Sequence, residues 1–509
     1  MDLAAVDVLE KITDLKNKFL KYLFQVTIIM QRFQFLIILF SLSLISCEQQ
    51  RIIPKGFTYD KPEGFSDSVY SGYIDVYENR LTNTGKKIQL YVLIIPALTK
   101  SNNPPLFLID GGPGVSATAS ADFYTSKENP YRQNRDIVVV DVRGTGKSNP
   151  LMCPSLQVKE NLQQQFDEMY PATAVKECYD LLSKENDLTQ YHTANIVMDL
   201  EEVRIKLGYK KISLFGLSYG TRVALQYLRM FPQAIESTVL WSPVTTYASI
   251  PLYHAIYAEA SLSRIWNDCK KDTGCNTAYP SIQKEFTELM NQWKKKPFAY
   301  VFNDSNGTNK TLTISWNAFQ TKLRSLMYSP AGIRKVPYIV HEAWKGNLQP
   351  FIDLFPNGKE INNFIAEGLY LCVTCTEDVP FIQTAAIDSL TAGTFMGTYR
   401  VDQQKQACAN WTKWTIPIDF LQPISSSVPT LILTGSFDPV TPPSMAKEIS
   451  STLPNSQLVE IPYMSHVFDG LQNEFCFDQM VIDFLNAPMQ KLKSTDCIKL
   501  MTPPAYKTK

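Results

Sequence analysis

The sequence lacks a net charge, because 49 Lys and Arg side chains balance 49 Asp and Glu side chains in a chain of 509 residues. It also has no long run of one charge sign. A protein without a basic surface field is not expected to bind nucleic acid or a bare anionic membrane. Histidine is scarce as well: only four residues are present, so few side chains can serve as a neutral-pH general base.

The cysteines do not form a zinc-binding pattern. The motif Cys372-Val373-Thr374-Cys375 has no second Cys pair or His pair to complete a site, so neither a metal nor another cofactor is expected. Ten cysteines are too few for a disulfide scaffold in a chain of this length, but local pairs suit an oxidising compartment. The expected bridges leave Cys372 unpaired and are Cys153–Cys178, Cys269–Cys275, Cys375–Cys408 and Cys476–Cys497.

Residues 1–47 resemble an upstream segment followed by an export signal. The stretch from Phe33 to Ser46 is apolar, follows Arg32 and is short for a bilayer span, which is typical of a secretory signal. It ends in Leu44-Ile45-Ser46-Cys47, which resembles a bacterial lipobox, so Cys47 is the expected lipidation site. Two acyl chains there would anchor an exported lipoprotein, in the periplasm or at the outer membrane or cell surface. The alternative is an ordinary signal anchor with an incidental Cys.

Short apolar runs alternate with helical patterns along much of the chain. After an opening hairpin at 69–77 and 88–95, such runs occur at 106–109, 137–140, 212–215 and 238–241, and again at 430–433 and 457–461. Continuous apolar strands separated by amphipathic helices predict a mostly parallel sheet covered on both faces, an α/β fold.

The strand rhythm is interrupted between residues 249 and 422. This block is rich in Trp, Tyr, Lys and Asn and contains helical stretches such as Ile282 to Trp293. We expect a mainly helical lid inserted into the sheet, with the core formed by residues 48–248 and 423–509. An insertion at this place would cover the carboxyl ends of the strands, where ligands bind in open α/β sheets.

The segment Gly216-Leu217-Ser218-Tyr219-Gly220 lies between an apolar strand and a helical pattern. A nucleophile on a sharp strand-to-helix turn needs neighbours without a Cβ, so that the backbone can close up and Oγ can project. We therefore expect Ser218 to be a catalytic nucleophile. The alternative is an incidental Gly-rich turn, which the strand–turn–helix context disfavours.

A second glycine-rich segment, Asp110-Gly111-Gly112-Pro113-Gly114, follows the strand at 106–109. In this position it would supply one half of an oxyanion hole. The expected donors to a tetrahedral intermediate are the backbone N–H groups of Gly112 and Tyr219. A plain Gly-Pro turn is the alternative.

A serine nucleophile needs a base, and the base needs a carboxylate that orients it. His466 follows the strand at 457–461, and Asp438 follows the strand at 430–433, so both fall at expected strand ends. Of the other histidines, His192 falls in a loop before a helix, whereas His254 and His341 fall in the insertion, where surface or packing roles are expected. The chain order Ser218, Asp438, His466 is the order of a hydrolase triad.

The run Gly144-Thr145-Gly146-Lys147-Ser148 imitates the end of a phosphate-binding loop. The first glycine of such a loop would fall at Asp141, which ends a strand, so no nucleotide site is expected.

Taken together, these residues resemble the proline iminopeptidase and tripeptidyl aminopeptidase family of α/β-hydrolases, the S33 peptidases. The resemblance rests on Gly-Gly-Pro-Gly at 111–114, on 141–148, on 199–209 leading into the Ser218 turn, and on the Asp438 and His466 loops. The Cys pattern and the C-terminal portion resemble the tripeptidyl branch. Asp110 replaces the His that precedes Gly-Gly-Pro-Gly in proline iminopeptidases, which argues against that branch.

The resemblance implies a serine exopeptidase that acts on peptides with a free N-terminus. Acidic lid residues hold the substrate ammonium group in this family, which makes Glu377 the candidate, with Asp378 beside it. The alternative for this pair is a helix cap or a solvated charge pair. A carboxylesterase or lipase would use the same triad, because acyl transfer to serine serves esters and amides alike. A non-catalytic binding protein would be expected to lack a triad member.

Overall fold

The computed structural model describes residues 51–157, 162–303, 307–355 and 365–509. The expected signal and the lipidation site Cys47 lie outside these residues. Nine of the strands form one twisted sheet, in the order β1-β2-β3-β5-β4-β6-β7-β10-β11, and β8 and β9 form a separate hairpin. The strands are β1 Thr58–Asp60, β2 Val69–Tyr77, β3 Lys87–Ile95, β4 Leu106–Ile109, β5 Ile137–Val140, β6 Ile212–Leu217, β7 Ile235–Trp241, β8 Phe298–Asn303, β9 Asn309–Ile314, β10 Thr430–Gly435 and β11 Ser456–Ile461.

The sheet is antiparallel at one side and parallel over the rest. Strands β1, β2 and β3 pair antiparallel, and β3 pairs antiparallel with β5. From β5 through β4, β6, β7 and β10 to β11 every pairing is parallel. All residues of β5 and β10 are buried, since helices cover both faces, and this explains why these strands are continuous apolar runs. The expected α/β fold, with a mostly parallel central sheet flanked by helices, is confirmed.

The α-helices of the described residues divide into two sets. Helices α1, α2, α3, α14 and α15 flank the sheet, whereas α4 to α13 lie in the chain between β7 and β10. The helices are α1 Ala172–Leu182, α2 Thr193–Lys206, α3 Tyr219–Met230, α4 Ile250–Lys271, α5 Thr273–Ala278, α6 Ile282–Trp293, α7 Trp316–Leu326, α8 Pro330–Ile333, α9 Val336–Trp344, α10 Gln349–Ile352, α11 Glu367–Glu377, α12 Thr384–Thr391, α13 Tyr399–Cys408, α14 Pro443–Thr452 and α15 Phe475–Asn486.

We call the chain between β7 and β10 the lid. Most of a second hydrophobic cluster belongs to it, with aromatic side chains such as Trp266, Phe286, Trp293 and Phe319, and Leu162, Phe166 and Tyr506 join this cluster from outside the lid. The lid also contains the β8–β9 hairpin, which the sequence does not indicate. Four of the six residues of β9 are exposed, so this hairpin lacks the buried apolar run by which the core strands are recognised.

The parallel pairing brings the functional segments together. The loops after β4, β6, β10 and β11 carry Gly112, Ser218, Asp438 and His466, respectively. Because these strands run in the same direction, their carboxyl ends meet at one edge of the sheet. The lid covers this edge, as the lining of the cavity described below shows.

The four expected disulfides are confirmed: Cys153–Cys178, Cys269–Cys275, Cys375–Cys408 and Cys476–Cys497. Among the described cysteines only Cys372 is free, and it is buried. Burial raises the pKa of its thiol to about 12, so it is not a reactive thiolate at neutral pH. None of the helices in the described ranges combines the length and the apolar character that crossing a bilayer requires.

Candidate active site

Ser218 lies at the junction of β6 and α3 in a conformation that few residues other than glycine adopt. Its φ is 53° and its ψ is −121°. The strained backbone is held from both sides: the Ser218 N–H donates to the carbonyl of Trp241 at 3.0 Å, and the Ser218 carbonyl accepts from the N–H of Thr221 at 2.9 Å. A strained residue fixed in this way at a cavity is typical of a functional position.

The flanking glycines are required by close backbone contacts. A Cβ at Gly216 would lie 2.6 Å from the carbonyl oxygen of Gly220, and a Cβ at Gly220 would lie 2.1 Å from the carbonyl oxygen of Ile109. Neither position therefore has room for a side chain. The glycines allow α3 to begin directly at the nucleophile and to pack against the end of β4.

The loop after β4 lies beside Ser218. A Cβ at Gly111 would be 3.1 Å from the Ser218 Cβ, and Gly112 has a φ of +109°. Within the described part of the chain, the backbone N–H groups of Gly112 and Tyr219 have no hydrogen-bond acceptor, and both residues line the cavity of Ser218. Two unpaired N–H donors next to a nucleophile are suited to hold an oxyanion.

Asp438 orients His466. The Nδ1 atom of His466 lies 2.9 Å from Oδ2 of Asp438, and Oδ1 of Asp438 accepts the backbone N–H groups of Val440 and Thr441 at 2.7 and 2.9 Å. Burial acts to raise the pKa of Asp438, but His466 and these N–H donors outweigh it, so the pKa lies below its ordinary value. The carboxylate is thus ionised and fixes the tautomer that leaves Nε2 as the base.

The other three histidines have different environments. His192 stacks on Trp414 at 3.7 Å, and its pKa is lowered to about 3 by burial and by Arg143. His341 lies 2.8 Å from Glu285 on another lid helix. His254, in contrast, lines the same cavity as Ser218. The sequence-based expectation of a packing or surface role did not place it at the site.

The cavity has a volume of about 560 Å³ and lies between the sheet edge and the lid. The core contributes Gly112, Ser218, Tyr219, Arg222 and His466 to its wall. The lid contributes charged and aromatic residues, among them His254, Arg324, Tyr328, Glu367, Asp378 and Arg400. No group of three or more potential metal ligands occurs in the described ranges.

Glu377 does not contact this cavity, which corrects the expectation that it holds a substrate ammonium group. Its side chain is fully buried, and its two oxygens accept the backbone N–H and the hydroxyl of Thr193, both at 2.7 Å. Arg222 lies 3.7 Å away. Burial raises the pKa of Glu377 to about 7. Glu377 therefore connects α11 to α2, with both of its oxygens engaged and neither among the groups that line the cavity.

Asp378 lines the cavity, but it forms an ion pair with Arg222 at 3.0 Å. Burial raises its pKa despite the opposing effect of Arg222. A different carboxylate, Glu367 at the first turn of α11, is half-buried in the cavity wall, and its Oε2 has no hydrogen-bond partner among the described residues. Sequence reasoning missed Glu367, because nothing in the sequence shows which end of this helix faces the cavity.

Comparison with known proteins identifies the family. A family model described as the alpha/beta hydrolase fold matches residues 104–468, a span that contains the nucleophile turn, the oxyanion loop, Asp438 and His466. The chain belongs to the α/β-hydrolase family.

Individual relatives of this α/β-hydrolase are distant. The serine protease Hip1 of Mycobacterium bovis is 28% identical over 234 residues, which is 43% of this chain and 40% of that protein. The tripeptidyl aminopeptidase of Streptomyces coelicolor is 25% identical over 248 residues, 45% of each chain. The chain thus spans less than half the length of these curated relatives. A solved structure of the proline iminopeptidase-related protein of Thermus thermophilus is 16% identical, with a TM-score of 0.36, over 82% of this chain and 98% of that one.

Proposed function

We propose that this α/β-hydrolase is a serine exopeptidase of the S33 prolyl or tripeptidyl aminopeptidase type. It would release residues from the free N-terminus of short peptides through an acyl-enzyme on Ser218. The names of the distant relatives, a serine protease and a tripeptidyl aminopeptidase, support a peptidase. The geometry of the site supports acyl transfer.

In the proposed mechanism, Nε2 of His466 takes the Ser218 hydroxyl proton as Oγ attacks the scissile carbonyl. Asp438 holds the resulting imidazolium in place through Nδ1. The negative charge that develops on the carbonyl oxygen is accepted by the unpaired N–H groups of Gly112 and Tyr219. His466 then donates its proton to the leaving amine. A water molecule, activated by the same imidazole, hydrolyses the ester on Ser218 and restores the serine hydroxyl.

Glu367 is the observation that favours a free N-terminus. Glu367 lines the cavity, its carboxylate accepts the backbone N–H of Cys153, and its buried Oε2 has no partner among the described residues. Burial raises its pKa, and no ion pair with a described Lys or Arg offsets that effect. An ammonium group of a substrate would supply such an ion pair. The preceding residue Ala366 donates its N–H to the carbonyl of Gly114 at 2.9 Å, which fixes this end of α11 next to the oxyanion loop. Asp378, paired with Arg222, is the second candidate carboxylate in this wall.

A set of chromogenic anilides tests the proposal. Aminoacyl, dipeptidyl and tripeptidyl anilides are compared with their N-acetylated forms, using the wild type and Ser218→Ala. We expect cleavage of the free forms, much weaker cleavage of the acetylated forms and no cleavage by Ser218→Ala. The length that is cleaved best identifies how many residues are released. Activity that survives in Ser218→Ala would contradict the mechanism.

A carboxylesterase or lipase remains the alternative, since the same triad would serve it. Hydrolysis of blocked esters without any cleavage of free aminoacyl or peptidyl anilides would favour it. The distinction depends on the wall of the cavity, because the reacting groups are common to both activities.

We also propose that the protein is exported and anchored to a membrane through lipid on Cys47. Four disulfides support an oxidising compartment. Incorporation of labelled palmitate into the wild type, and its loss in Cys47→Ala, is the expected result. Labelling of both proteins, or of neither, would contradict lipidation at this cysteine.

A further inference from the structure

Two arginines of the lid border the active-site cavity without a carboxylate partner. Arg324 on α7 and Arg400 on α13 both line the cavity. Within the described ranges no Asp or Glu oxygen lies within 4.0 Å of either guanidinium, and the buried Nε of each has no hydrogen-bond acceptor. Arg324 and Arg400 differ in this respect from Arg222 in the same wall, which forms an ion pair with Asp378 at 3.0 Å.

The partners that the two arginines do have are neutral. Arg324 donates from Nη2 to Nδ1 of His254 at 2.7 Å, and its guanidinium lies 5.3 Å from the ring centre of Tyr328. Burial lowers the pKa of His254 well below its ordinary value, and Arg324 and Arg400 lower it further. Arg400 donates to the hydroxyl of Tyr370. Aromatic and neutral groups thus orient the two cations without cancelling their charge.

Burying a cation without a counter-ion costs free energy, and proteins normally pair a buried cation with a carboxylate. The fully buried Arg143 of this chain, for example, binds Asp199 at 2.6 Å. We infer that Arg324 and Arg400 bind an anionic group of the substrate. On the proposed function, on which this inference rests, that group is a peptide carboxylate. Arginine suits this role, since its planar fork of N–H donors matches a carboxylate.

The position of the pair relative to the triad limits where the carboxylate lies. Tyr328, which contacts the Arg324 guanidinium, also packs edge-on against the ring of His466 at 5.2 Å. An extended peptide advances roughly 3.5 Å per residue. The carboxylate therefore belongs within about three residues of the scissile bond. It comes either from an acidic side chain or from the free C-terminus of a short peptide.

Matched peptide pairs distinguish these two sources. The first set contains tripeptidyl and tetrapeptidyl anilides with Glu or Gln at each position in turn. The second set contains short peptides with a free C-terminal carboxylate or a C-terminal amide. Each pair is assayed with the wild type, Arg324→Gln, Arg400→Gln and the charge-retaining Arg324→Lys. Arg334→Gln is the control, because Arg334 is a lid arginine that pairs with Asp268 and does not line the cavity.

We expect the wild type to prefer the acidic member of at least one pair by about tenfold or more in kcat/KM. Arg324→Gln and Arg400→Gln should reduce that ratio to about one, Arg324→Lys should retain part of it, and Arg334→Gln should retain all of it. The pair that responds identifies the source of the carboxylate. No preference in any pair, or a preference that persists in both Arg→Gln variants, would overturn the inference.

A binding measurement separates this inference from the proposed function. If the wild type cleaves none of the peptides, the proposed exopeptidase activity is wrong, but the anion site is still testable. Calorimetry with Ser218→Ala then measures the affinity for the same acidic and neutral peptides. Tighter binding of the acidic members supports the site, and equal affinities overturn it.

Discussion

The two ends of helix α11 carry one glutamate each, and the two side chains have opposite environments. Glu367, in the first turn, lies in the cavity wall with an unpartnered oxygen. Glu377, the last residue, is sealed from the cavity and has both oxygens bound to Thr193. A carboxylate is favoured by the helix dipole at the N-terminal end and disfavoured at the C-terminal end. Glu377 therefore needs Thr193 and Arg222, whereas Glu367 can remain available for a ligand.

On the proposed function, helix α11 combines an end that stabilises the fold with an end that binds the substrate. The C-terminal end is fixed to the core by Glu377 and to α13 by the Cys375–Cys408 disulfide. The N-terminal end is fixed through its backbone, by the hydrogen bond from Ala366 to Gly114. Because the backbone holds that end, Oε2 of Glu367 is not needed to fix the helix and has no partner among the described residues.

Removing the Cys375–Cys408 disulfide should have the largest effect on stability. The bridge joins residues 33 apart, and closing a loop of that length stabilises a protein by about 4 kcal/mol in the chain-entropy model. We expect Cys375→Ser/Cys408→Ser to lower the unfolding free energy by about that amount in a denaturant titration. The ratio of free to acetylated anilide hydrolysis should not change. A change in that ratio would mean that the C-terminal end of α11 also acts on the substrate.

Truncation of the two glutamates should separate their roles. Glu377→Ala leaves Arg222 with Asp378 alone and removes both acceptors of Thr193, so a loss of about 3 kcal/mol of unfolding free energy is expected. Glu367→Ala should lower it by only about 1 kcal/mol, since it removes the acceptor of the Cys153 backbone N–H but breaks no ion pair. Denaturant titrations of both variants measure the difference. Equal losses would remove the distinction between the two ends.

The raised pKa of Glu377 predicts a pH dependence of stability. Its pKa is about 7 in the folded protein against an ordinary value of 4.5. The folded state thus binds this proton more tightly than the unfolded state, and the stabilisation, present below pH 4.5, is lost as the pH rises through 7. Relative to Glu377→Gln, the wild type should lose about 2 kcal/mol between roughly pH 5 and 8. If the unfolding free energies of the wild type and Glu377→Gln changed in parallel with pH, the pKa of Glu377 would not be raised in the folded protein.

Substitution of Glu367 should have the smallest effect on stability and the most selective effect on catalysis. We expect Glu367→Gln to raise KM about tenfold for anilides with a free N-terminus and to leave acetyl esters nearly unchanged, because a charge-assisted hydrogen bond to the ammonium is lost. Glu377→Gln is the control from the same helix and should affect both substrates alike. If Glu377→Gln, and not Glu367→Gln, raised KM selectively for substrates with a free N-terminus, Glu377 and not Glu367 would bind the ammonium group.

The core of the site follows rules that can be read along the sequence. Ser218, Asp438 and His466 each follow an apolar strand, and parallel strands must end at the same edge. The glycine at 216 is specified by a backbone contact one turn away, at Gly220, and the glycine at 220 by the end of β4 at Ile109. Strand runs, turn glycines and chain order are local features, so the fold class could be predicted from them.

The contacts of the lid, in contrast, cannot be predicted from local sequence features. Whether Glu367 or Glu377 faces the cavity depends on how α11 packs against Thr193 and Gly114, which are distant in sequence. The convergence of Arg324 and Arg400 on His254 likewise joins three helices. The β8–β9 hairpin is mostly exposed and gives no apolar signal. The proposed substrate contacts depend on residues from distant parts of the chain, and the sequence pattern alone could not place them.

Covalent labelling of the nucleophile tests the central claim most directly. The protein is treated with a fluorophosphonate, which reacts with an activated serine, and the adduct is located by peptide mass mapping. We predict a single adduct on Ser218 that is absent in Ser218→Ala and much slower to form in His466→Ala, since His466 must accept the hydroxyl proton. An adduct on another residue, or unchanged labelling of either variant, would contradict a hydrolase that acts through Ser218.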